Sequence, residues 1–78
     1  MIELKILKMI ELLSEVGVIT ITKMKLDGNE YMVKFYDIYF AYEKTLLYAL
    51  QRLLEHLLIQ DLYLTSEQKE LAKELLCN

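Results

Sequence analysis

Proton transfer near neutral pH, nucleophile activation and zinc binding all lean on histidine or cysteine, and this 78-residue chain has one of each. His56 follows Glu55 directly and Arg52 by four residues. Adjacent side chains on a helix project about 100° apart, so Glu55 and His56 are not a pre-aligned acid–base pair. The residue reads as a solvated or hydrogen-bonded surface histidine. Cys77 is penultimate and has no second cysteine to pair with, which removes disulfide scaffolds and cysteine metal sites together and fits a reducing cytoplasm.

The remaining polar residues show no catalytic spacing. There is no Gly-rich phosphate loop, no G-x-S-x-G and no H-E-x-x-H. The six serines and threonines fall mainly where strands, caps and turns need a hydroxyl for the backbone. Glu67, Glu70 and Glu74 recur at helical spacing but interleave with Lys69 and Lys73, the pattern of a solvated face. The expectation is therefore no enzyme, with no catalytic residues, no metal ligands and no cofactor.

Two groups of residues suit binding better than reaction. Tyr31, Phe35, Tyr36, Tyr39, Phe40, Tyr42 and Tyr48 crowd into eighteen positions. Tyrosine buries a ring while keeping its hydroxyl wet, so such a segment either closes a junction inside the fold or contacts a protein. The expected interface combines Tyr36, Tyr39 and Tyr42 with Leu4 and Leu7 of the first helix. Lys23, Lys25 and Lys34 are the alternative, a basic face on which bases could stack beside tyrosines. The net charge of −3, spread without blocks, makes nucleic acid the second reading.

The positioning elements follow from periodicity. From Thr45 to Ile59, Leu46, Leu50, Leu53 and Leu57 recur at i, i+4, i+7 and i+11 with Leu47, Leu54 and Leu58 beside them, a wide apolar stripe that marks the core helix, about residues 40–60. Residues 2–15 form a first helix with Ile2, Ile6, Met9, Ile10 and Leu13 on one face and Leu4, Leu7 and Leu12 widening it. Gly17 then serves as a left-handed stop. Two runs rich in β-formers flank Asp27-Gly28-Asn29, giving a hairpin over 18–36. Facing Leu26 with Tyr31, Met24 with Val33 and Thr22 with Phe35 builds its apolar side. Asp37–Lys44 fits either an extended second strand or the start of the core helix, and a helix beginning near 38–42 is preferred. Thr65 and Gln68 have capping-box spacing, opening a terminal helix over 66–76. The order is α-β-β-α-α, an α+β fold in one domain, 1–78, with a two-stranded antiparallel hairpin packed on helices.

This order, with its Asp27-Gly28-Asn29-Glu30-Tyr31 turn, is similar to that of some small phage-encoded inhibitor proteins, inhibitors of CRISPR nucleases among them. The resemblance implies a small accessory protein of a phage, virus or mobile element and carries over no site residues. No apolar run reaches the roughly 20 residues of a membrane span. The apolar fraction of 55% exceeds the roughly 45–50% usual for soluble domains, in a chain with little interior to hide it. The excess, a wide first helix and an open strand edge together point to a cytoplasmic protein-interaction module that forms a homodimer and masks or bridges a protein partner.

Overall fold

Seven leucines in fifteen positions give one helix too much apolar surface for a single neighbour, and the chain answers by surrounding it. In the computed structural model, which describes residues 2–26 and 28–77, this helix is α2 (Leu46–Gln60). It is preceded by α1 (Ile2–Val16), β1 (Ile19–Leu26), β2 (Asn29–Phe35) and β3 (Tyr39–Glu43), and followed by α3 (Ser66–Leu76). The fold is α+β, as expected. Its order is α-β-β-β-α-α, with one more strand than the hairpin alone supplies.

One flank of α2 packs on β2 and β3, and the other meets α1 and α3. Leu50, Leu53, Leu54 and Leu57 are at most 1% exposed and share a cluster with Val33, Phe35 and Ala41 of the sheet, Met9, Leu12 and Leu13 of α1, and Ala72 and Leu75 of α3. Full burial of a leucine is worth about 1.5–3 kcal/mol, so these four side chains anchor the molecule. Thr45 fixes where α2 begins: its extended backbone and its hydroxyl, which accepts from the Tyr48 N–H at 3.2 Å, form an N-cap. The helix ends at Asp61, in the left-handed conformation. For α3, Thr65 and Gln68 make the full capping box at 3.2 and 2.9 Å.

The helix expected over about 40–60 thus starts later, at Leu46, because residues 39–43 pair with β2 instead. Tyr39 lies opposite Phe35, Ala41 opposite Val33 and Glu43 opposite Tyr31. Aromatic and extended-loving residues in Tyr39-Phe40-Ala41-Tyr42 favour a strand, and pairing lets Ala41 close over Leu53 of the core. The connecting turn has no glycine; Tyr36 itself adopts φ 50°, held by its N–H donating to the Val18 carbonyl at 2.8 Å.

The hairpin register also differs from expectation. Ile19 pairs with Phe35, Ile21 with Val33 and Lys23 with Tyr31, but Leu26 pairs with Asn29. Met24 and Lys25 therefore face the single residue Glu30, a β-bulge. The bulge absorbs one residue and reverses the faces of β1. Ile19 and Ile21 join Val33 and Phe35 on the helix side, while Thr20 and Thr22 turn outward with Met32 and Lys34. This register turns the two β-branched isoleucines, rather than two threonines, toward the helix side, where Ile19 is half-buried against the core while Ile21 stays exposed. Gly28 takes φ 81° in the turn, and Asp27 lies outside the described residues.

Gly17 plays another part than the left-handed cap. A Cβ there would lie 2.6 Å from the Tyr36 ring and 2.7 Å from the Phe35 ring, so the glycine lets the α1–β1 link cross the end of β2. Gly17→Ala should cost about 1–3 kcal/mol through overpacking. A urea midpoint unchanged from wild type would show that the rings move aside without penalty.

Candidate functional site

Three places in the fold gather side chains that could recognise something. The first is an aromatic cluster where the sheet meets the C-terminal half of α2. The Tyr39 ring stacks on Phe35 at 6.4 Å between centroids, stands edge-on to Tyr63 at 6.1 Å and lies 4.4 Å from the His56 imidazole. Phe35 meets Tyr63 at 5.2 Å and Tyr36 at 4.8 Å, both edge-on. Such pairs each add about 0.5–1.5 kcal/mol beyond area burial. His56 is thus a capping ring on this cluster with one side in solvent. Tyr63, in the short link before α3, escaped the sequence reading because nothing periodic marks it.

Beside the cluster, β3 and α2 bound a cleft of about 270 Å³. Ile38, Phe40 and Ala41 form its sheet side, and Arg52, Leu53 and His56 its helix side. Arg52 and His56 are four apart on α2 and so point the same way. The Arg52 guanidinium donates to Glu43 at 2.7 Å; two-thirds of the arginine side chain is exposed, so the pair orients the cleft more than it stabilises the fold.

The second place is the outer face of the sheet. All three helices lie on the opposite side, leaving Thr20, Thr22, Phe40 and Tyr42 exposed and Met32 and Lys34 half-buried. The third is the first two turns of α1, where Ile2, Leu4 and Leu7 are each more than half exposed; Ile2 and Leu4, but not Leu7, line a cleft of about 400 Å³ that reaches Leu47 and Leu75.

The expected interface residues do not share one surface. Leu4 and Leu7 project from α1; Tyr36 sits in the turn after β2; Tyr39 is on the helix side of β3 and Tyr42 on its outer side. The lysines are divided too. Lys23 faces the helix side, its ammonium 5.7 Å from the Tyr31 ring centroid, whereas Lys34 is on the outer face and pairs with Asp37 at 3.0 Å. Lys25 stands exposed in the bulge. Among the described residues no three of His, Cys, Asp and Glu converge closely enough to hold a metal ion, and no helix is long and apolar enough to cross a membrane.

No family model matches the chain, and neither a curated protein nor a solved structure resembles it at a significant level.

One titration reports on the aromatic cluster. The Tyr39 hydroxyl is raised above its ordinary value of 10.0, first by partial burial and then by the neighbouring Tyr63 hydroxyl. A group that holds its proton more tightly folded than unfolded favours the unfolded state as pH climbs. Its contribution is therefore intact below about pH 10 and lost above it. Tyr39→Phe should flatten the alkaline fall in stability between pH 9 and 11 as followed by urea midpoints; parallel curves for the two proteins would remove Tyr39 from that loss.

Proposed function

We propose that the protein is a non-enzymatic interaction module of the cytoplasm that self-associates as a homodimer and masks or bridges a second protein. The observation that carries this is the amount of apolar surface left uncovered. Among the described residues, thirteen large apolar side chains are exposed against fourteen hydrophobic residues in the core. Scattered apolar residues are normal on any surface, and six of the thirteen are of that kind; the other seven fall in two stretches, Ile2, Leu4 and Leu7 in the first turns of α1 and Tyr36, Ile38, Phe40 and Tyr42 along β3 and the turn before it.

The shape explains why they stay uncovered. The shortest dimension is 18 Å, room for one sheet and one layer of helices. A body this thin cannot take more side chains inside, so further burial has to come from another chain. Two separate patches suit a protein that joins itself through one and a partner through the other, as befits a small accessory protein of a phage, virus or mobile element.

Self-association is checked by absolute mass from light scattering behind size exclusion, over a range of concentrations and at two ionic strengths. Twice the chain mass of 9.3 kDa is expected, little changed by salt because the patches are apolar. A monomer throughout would remove the dimer from the proposal.

A further inference from the structure

The sheet has two free edges, β1 and β3, and they are unequally defended. An open edge offers unpaired backbone N–H and C=O groups to any passing strand, and proteins blunt such edges with bulges, lysines and prolines. Strand β1 has a bulge, Lys23 and Lys25. Strand β3, Tyr-Phe-Ala-Tyr-Glu, has no bulge, no lysine and no proline, and its outward side chains Phe40 and Tyr42 are 50% and 45% exposed.

Resting on the self-association proposed above, we infer that the dimer forms by antiparallel pairing of β3 with β3 of a second copy, joining two sheets into one of six strands. The strand is built for it. A two-fold axis perpendicular to the sheet must put residues of the same face opposite each other, so the pairing is centred on one residue. Centred on Ala41, all five residues of β3 pair. Phe40 then lies opposite Tyr42 of the second copy and Tyr42 opposite its Phe40, giving two cross-strand aromatic pairs on the open face. On the helix side, Glu43 of the second copy comes opposite Tyr39, whose ring covers His56. The cleft there holds Arg52 and His56 against one carboxylate, and pairing supplies a second.

Neighbouring registers fit less well. Centring on Phe40 sets Asp37 opposite Glu43, two like charges face to face. Centring on Tyr42 sets Ile38 opposite Leu46, the first residue of α2, whose backbone is already committed to a helix.

The test is a set of exposed-face substitutions read by light scattering, with circular dichroism confirming the fold. Phe40→Lys with Tyr42→Lys places like charges opposite each other twice and should weaken the dimer about tenfold or more. Phe40→Lys with Tyr42→Glu places opposite charges there and should restore most of it. Leu7→Glu, on α1, should leave it intact. A second measurement needs no variant: as the wild-type chain is concentrated through dimerisation, β3 amides should gain protection from hydrogen exchange while α1 amides do not. A wild-type monomer at every concentration overturns this inference along with the self-association beneath it. A dimer that survives the double-lysine variant, or whose α1 amides alone gain protection, overturns edge pairing and leaves self-association standing. Failure of the Lys/Glu variant to restore the dimer overturns the Ala41-centred register.

Discussion

Everything in this molecule depends on burying the leucine stripe of α2. The helix touches β2, β3, α1 and α3, and no other element has so many neighbours. Its four fully buried leucines meet the sheet on one side and the other two helices on the other, so none of these layers has a sufficient core without it. Without α2 the sheet would expose Val33, Phe35 and Ala41 to water and α1 would be a lone amphipathic helix. Among the described residues no polar side chain is buried, so the core between the layers is held by hydrophobic packing alone.

That packing also decides local geometry where local preference would not. Tyr36 occupies the left-handed region at a cost of roughly 1–2 kcal/mol for a residue with a side chain. Its ring is held edge-on to Phe35, and its N–H reaches Val18. The bulge in β1 is a similar concession, giving up regular pairing between Lys23 and Leu26 so that Ile19 and Ile21 face the helices.

The same contrast explains what the sequence discloses. The helices are legible because their signals are local: leucine spacing for α2, a capping box for α3, an apolar stripe ended near Gly17 for α1. The third strand is not. Its turn at Tyr36-Asp37-Ile38 carries one turn-former, Asp37, between two bulky apolar residues, a signal that an N-cap aspartate gives equally, and Tyr39–Glu43 is too short for alternation to show. The hairpin register is hidden for a like reason, since a single bulged residue reverses every face beyond it. Of the residues singled out for binding, aromatic density rightly marked a junction, but alternation along β3 separates Tyr39 from Tyr42. The role of His56 as a cap on the Tyr39 ring depends on β3 existing at all.

The dependence of α1 on later elements has a bearing on how the protein is made. Met9, Leu12 and Leu13 precede in the chain the helices that cover them, α2 and α3. Until α2 and α3 have been made the first helix lacks the helices it docks on, and its closing contact, Gly17 beneath the Phe35 and Tyr36 rings, waits for β2 as well. Completion of this core therefore waits for α2 and α3 rather than proceeding stepwise from α1. A nascent chain arrested short of residue 57 would present an apolar helix to whatever chaperone stands at the exit.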